Sequence, residues 1–131
     1  MSTADDAMQL TIRDVTSNDE AVVRDLVTAA FPTDMEARLV HTLRHCGALV
    51  LEQVAVDDKG EVVGHVAYSR VTPAAIGKGQ GLQVACLAPV SVWPDRQRSG
   101  IGSALITASL EKLKDLVLVL GPPSYLSAFR L

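Results

Sequence analysis

The sequence is short of several things whose presence would fix its use at once. It has two cysteines, Cys46 and Cys86, which form neither a metal-type pair nor a disulfide framework. Both sit in apolar segments, which predicts buried reduced thiols and a cytoplasmic setting. Aromatic residues make up only 4% of the chain, and no cluster of Lys and Arg marks a nucleic-acid groove. A net charge of −3 does not favour anionic membranes. Neither nucleic acid nor membrane is therefore an expected partner. No apolar run approaches the roughly 20 residues that span a bilayer. The first residues, with Asp5 and Asp6, do not read as a signal peptide. Residues 1–8 read as a disordered leader, with Met8 as an alternative start. Internal repeats and low-complexity tracts are also lacking.

What remains is a chain of 131 residues, 48% of them hydrophobic, which suits one compact domain over residues 9–131. Alternation over 10–15 predicts a strand. Ser17, Asn18 and Asp19 offer helix N-caps. Val22, Val23, Leu26, Val27 and Ala30 then recur at helical spacing as far as Phe31. A second helix starts near Asp34, with Met35, Leu39, Val40 and Leu43 expected inward, and ends near Gly47. Residues 48–56 and 61–71 read as a hairpin around the turn 57–60. Residues 72–81, with Pro73, Gly77, Gly79 and Gly81, read as a flexible loop. Residues 82–93 read as a buried central strand that Pro89 interrupts with a bulge or a change of pairing. A turn at 94–102, a helix at 100–114 and a strand at 116–120 complete a βαβ unit. Pro122-Pro123 opens a last short helical segment. The fold class is α/β (α+β), a mixed and mostly antiparallel sheet flanked by helices.

The stretch from Val90 through Ser91, Val92 and Trp93 to Gly102 carries the chemistry. A strand ends, a tight turn follows, and a helix opens on Gly100 and Gly102. Unpaired N–H groups and the helix dipole favour an anion there. Glycine keeps side chains out of its way. Arg96 and Arg98 add positive charge, and a diphosphate fits the arrangement. A glycine-rich helix start with no ligand gives the same pattern. A nucleotide-binding P-loop is a third reading, but it would want a lysine after the second glycine, where Ser103 stands.

The spacing Gln97-x-x-Gly100-x-Gly102 resembles the acyl-CoA motif of the GNAT superfamily of N-acetyltransferases. Pro89-Val90-Ser91-Val92-Trp93-Pro94 resembles that family's fourth strand, and the order of elements agrees. Glu36-Ala37-Arg38-Leu39-Val40-His41-Thr42-Leu43-Arg44, Gly64-His65-Val66 and Val119-Leu120-Gly121 are similar to a group of predicted N-acetyltransferases within it.

The resemblance implies acetyl-CoA as cosubstrate and an amine of a small molecule or protein as acceptor. The pantetheine arm would run beside Val90, Ser91 and Val92. The diphosphate would sit on Gln97, Arg98, Ser99, Gly100, Ile101 and Gly102. Transfer would be direct, without a covalent enzyme intermediate, and it implies no metal. The family's thiolate-protonating tyrosine falls at Leu126 by strict register. Tyr125 lies one residue earlier, about 100° around a helix, and is the candidate acid. Family domains also continue into two further strands, so a C-terminally shortened fold is expected. Strand 116–120 would then be an apolar edge, which predicts a homodimer. The alternative is a degenerate, non-catalytic domain that binds CoA or a protein partner.

Three histidines are left over. His65 is read first as a packed, hydrogen-bonded residue, although its side chain suits a base. His41 and His45 lie one helical turn apart, which allows a metal pair. No carboxylate or thiolate motif completes such a site, and the pair is read first as a solvated helix face.

Overall fold

A computed structural model describes residues 9–71, 84–113 and 117–119. Among these residues five strands form one sheet: β1 (Thr11–Asp14), β2 (Leu49–Val56), β3 (Val62–Val71), β4 (Val84–Val92) and β5 (Val117–Val119). Their order across the sheet is their order in the chain. The first four are antiparallel, and β5 runs parallel to β4 after helix α3 (Ile101–Lys112). Helices α1 (Glu20–Ala30) and α2 (Met35–His45) lie between β1 and β2 in the chain. No described helix is long and apolar enough to cross a membrane.

Local chemistry sets these boundaries. The Asp19 carboxylate accepts from the Thr16 N–H at 2.7 Å and takes both arms of Arg13, at 2.8 and 3.0 Å. That ties the end of β1 to the start of α1. In the β2–β3 turn the Asp57 carboxylate accepts from the Lys59 and Glu61 amides at 3.0 and 2.9 Å, while Gly60 turns the chain at φ +83°.

The sheet has helices on both faces. At Gly64 an added Cβ would lie 2.8 Å from both Ile101 Cγ2 and Leu105 Cδ1, so α3 packs directly on the backbone there. Successive residues alternate faces, and His65 points to the other side. There Val23, Leu26 and Val27 of α1 and Ala37 of α2 enclose Val54. Each such buried Val or Leu contributes roughly 1.5–3 kcal/mol relative to exposure.

Two expectations fail. Met35 and Leu39 are exposed at 68% and 48%, while α2 buries Ala37 and Val40. The stripe Ala37, Val40, Arg44 turns inward because the Arg44 guanidinium meets Glu52 on β2. A rotation that buried Met35 would withdraw it. Cys46 is also exposed, because it caps α2 beyond that helix's last buried turn. The Cys86 side chain lies outside the described ones.

The irregularity expected at Pro89 is present. Val66 pairs with Val90 but Tyr68 pairs with Leu87, so β4 carries one extra residue opposite β3. Among the described residues β5 pairs with Val84, Ala85 and Cys86. Past the bulge, the edge of β4 that faces away from β3 has no strand partner among the described residues. The expected leader at 1–8, the loop at 72–81, the helical segment after Pro122 and Tyr125 lie outside the described residues. So does whatever covers the far edge of β5 beyond Val119, on which the homodimer expectation depends.

Candidate functional site

The open edge of β4 has a definite polarity. The Trp93 N–H donates to the Val63 carbonyl at 3.4 Å, and His65 pairs with Ser91. Antiparallel backbone groups alternate in direction. Ser91 and Trp93 therefore spend theirs on β3, and Val90 and Val92 aim theirs at the open edge. Gln97 Nε2 donates to the Val92 carbonyl at 3.1 Å, so one of those groups is already taken. The Val90 amide remains directed outward. The valine side chains turn the other way, into the core beneath α3.

The turn beyond β4 is held by its own residues. Trp93 Nε1 donates to the Val62 carbonyl at 2.9 Å, which pins the strand end. A single 3-10 turn, Pro94–Arg96, follows. Arg96 reaches Asp57 Oδ2 at 3.5 Å and the Ser99 hydroxyl donates to the Arg96 carbonyl. Arg98 and Gly100 then take left-handed conformations, at φ +66° and +91°. Gly100 is the N-cap of α3, and an added Cβ would meet nothing within 4 Å. Backbone angle, not crowding, selects glycine there.

The first bond into α3 runs from the Ala104 N–H to the Gly100 carbonyl at 3.0 Å. The amides of Ile101, Gly102 and Ser103 precede it and have no helical acceptor. They form the positive end of the helix dipole. Ile101 itself is 1% exposed and anchors the turn in the core. A row of donors for an anion thus adjoins an open strand edge that can bind an extended polar chain.

The residues singled out from sequence therefore divide. Val90 and Val92 offer backbone to the edge. Gln97 braces the strand end. Arg98, Ser99 and Gly100 are exposed on the turn, and Ile101 and Gly102 are the buried start of α3. Ser91 differs: its backbone serves β3, its side chain is 1% exposed, and its Oγ has no hydrogen-bond partner.

On that face lies a polar chain that sequence reasoning missed. His65 is fully buried and its Nε2 stands 2.7 Å from Glu52 Oε2. Arg44 holds the same carboxylate through Nε and Nη2, at 2.9 and 2.7 Å. Burial alone would raise the Glu52 pKa, but the His65 and Arg44 hydrogen bonds win and hold it at about 2. With Glu52 ionised, His65 Nε2 is the donor and Nδ1 has no hydrogen-bond partner. Arg44 also reaches Glu20 at 3.4 Å, and Glu20 meets His45 at 3.0 Å. Only a charged residue within an apolar strand or helix stripe signals such a chain beforehand. Glu20, Arg44 and His41 also line a groove of about 1120 Å³ between α1 and α2.

A five-stranded sheet, a bulged fourth strand and a glycine-capped helix are the frame of an acetyltransferase fold, and the comparisons agree. Residues 11–130 match the family model of the acetyltransferase (GNAT) domain, and the chain belongs to the GNAT family. One relative is the uncharacterized N-acetyltransferase YhbS of Escherichia coli K12, 37% identical over 108 residues. The match takes in 79% of this chain and 62% of YhbS, so the chain spans about three fifths of that relative's length. The crystal structure of E. coli YhbS in complex with CoA superposes with a TM-score of 0.79 at 33% identity, over 94% of this chain and 68% of that one. A GNAT family acetyltransferase from Brucella melitensis, in complex with acetyl-CoA, gives 0.75 at 34% identity, over 92% and 81%.

Proposed function

We propose that this domain is an acetyl-CoA-dependent N-acetyltransferase acting on an amine of a small molecule or protein. The observation that carries the reading is the left-handed Gly100 turn. It presents the free amides of the first turn of α3 beside the open edge of β4. Support comes from the two relatives above, whose structures hold CoA and acetyl-CoA. The residues fit such a ligand in two respects: space in front of Gly100 is open, and the Val90 amide faces the edge with no strand opposite among the described residues.

Bound there, acetyl-CoA supplies an acyl group activated as a thioester. The amides from Gln97 to Gly102 hold the diphosphate, with Arg98 adding charge. Val90 and Val92 hold the pantetheine arm through backbone, and the Val90 N–H is placed to stabilise negative charge on the acyl oxygen. Direct transfer forms one C–N bond and breaks one C–S bond. The amine loses a proton and the departing sulfur gains one. Tyr125 is the proposed donor to that sulfur.

Two titrations of CoA by calorimetry test the site. Gly100→Asn keeps a residue that tolerates the left-handed conformation and should retain binding. Gly100→Glu places a carboxylate against the anion and should abolish measurable binding. Equal affinity in both variants would remove the diphosphate from this turn. For the chemistry, free CoA released from acetyl-CoA with a panel of amines is the readout. Tyr125→Phe should slow release about a hundredfold to ten-thousandfold while CoA affinity holds. An unchanged rate would exclude Tyr125 as the donor.

A further inference from the structure

Away from the CoA turn, the fold completes a donor set that the sequence leaves unfinished. His41 and His45 stand one turn apart on α2, with ring centroids 4.4 Å apart. The first residue of α1, Glu20, comes to them from 21 positions or more earlier in the chain. Its Oε1 lies 3.0 Å from His45 Nε2. One ligand atom from each of the three falls within 4.8 Å of the others. We propose that Glu20, His41 and His45 bind one divalent transition-metal ion of zinc type, which staples the start of α1 to the last turns of α2.

The chemistry of the donors selects the ion. Two imidazoles with one carboxylate suit zinc and its neighbours, whereas magnesium and calcium want oxygen ligands alone. Bonds to zinc of about 2.1 Å in a tetrahedron place ligand atoms about 3.4 Å apart. The observed spread therefore needs a contraction of little more than an ångström. Both histidines are exposed and Glu20 is 31% exposed at its side chain, so rotamer changes can supply it. Three protein ligands leave a fourth position for water.

The neighbouring charges are compatible. Arg44 lies 3.4 Å from Glu20 and opposes a cation, but its two shorter bonds to Glu52 keep it where it is. One carboxylate oxygen can face Arg44 while the other turns to the metal. The Cys46 thiol follows His45 directly, yet it points back to the Leu43 carbonyl at 3.6 Å and is no part of the set. The ion would sit at the rim of the groove between α1 and α2, which Glu20 and His41 line.

The test uses the untagged full chain and zinc itself, competed against a chromophoric zinc indicator near neutral pH. One equivalent should bind, with a dissociation constant on the order of micromolar, and zinc should raise the melting temperature by mass action. Cobalt in place of zinc should give the visible absorption of a low-coordinate nitrogen and oxygen site. His41→Ala, His45→Ala and Glu20→Gln should each weaken zinc by about tenfold or more. Cys46→Ser should leave it unchanged. The melting temperature without zinc checks that each variant folds, and it does so whether or not the chain binds CoA. Three results would overturn the site: no saturable binding at high micromolar zinc, full affinity in a folded His41→Ala, His45→Ala double variant, or loss of binding in Cys46→Ser.

Discussion

Glu52 is the residue whose removal the fold should feel most. It is buried between His65 and Arg44, and Glu52→Gln leaves Arg44 a neutral amide there and Glu20, at a longer contact, as its counter-charge. Removing one member of such a pair costs roughly 3–5 kcal/mol. The pH dependence has a definite sign. The Glu52 pKa falls from an ordinary 4.5 to about 2 in the fold. Its stabilisation is therefore complete above pH 4.5 and is lost as pH falls toward 2. Asp19, held below the usual carboxylate range chiefly by its hydrogen bond from Arg13, adds to the same loss. Urea midpoints measured across that window should show the original protein weakening and converging on Glu52→Gln. Parallel curves would show that Glu52 carries no such linkage. Of this only His65 was legible beforehand, as a packed, hydrogen-bonded residue. In Leu49–Val56 a glutamate and a glutamine stand side by side, and alternation alone does not say which faces α1 and α2. Gly100 was legible, because a glycine after a charged turn and before an apolar helix has few other uses.

Elements were read more securely than faces. Strand and helix limits fell within about two residues of those observed, because Asp57, Gly60, Pro89 and Gly100 punctuate the chain with turn and bulge chemistry. The inward face of α2 was misjudged because hydrophobicity outweighed an arginine that the core needs. Close packing between α3 and β3 gives an element-scale test. Gly64→Ala would push its methyl into Ile101 Cγ2 and Leu105 Cδ1. Ile101 Cγ2 sits on a branched, fully buried side chain and cannot swing aside, so the first turn of α3 must move. Overpacking of this kind costs roughly 1–3 kcal/mol. Since that turn carries the free amides, CoA affinity should drop together with stability. Stability lost with CoA affinity intact would mean the turn is uncoupled from the sheet.

At the scale of the whole molecule, ligand and fold should be linked. If CoA binds only the folded chain, a concentration of 100 times its dissociation constant adds about 2.7 kcal/mol of stability. Hydrogen exchange should then slow at the amides of Val90 and of 101–103 more than at α2. A uniform slowing would place the ligand elsewhere. The arrangement of the sheet has a further consequence, for the order of assembly. Because β2 and β3 are joined by the short turn at Asp57 and Gly60, their hairpin pairing can form early. The pairing of β4 with β5 through α3 joins Val84 to Val117, whereas β1 must find β2 across a longer stretch, Thr11 to Val56. The contact between Lys112 and Asp14 joins residues 98 positions apart and waits on the rest. Distant contacts are made late, once loop entropy has been spent. Substitutions in β2 and β3 should therefore slow folding, while those in β1 and the last turn of α3 should mainly hasten unfolding. The outer strand β1 and the end of α3 that reaches it would be the last parts to form and the first to come apart.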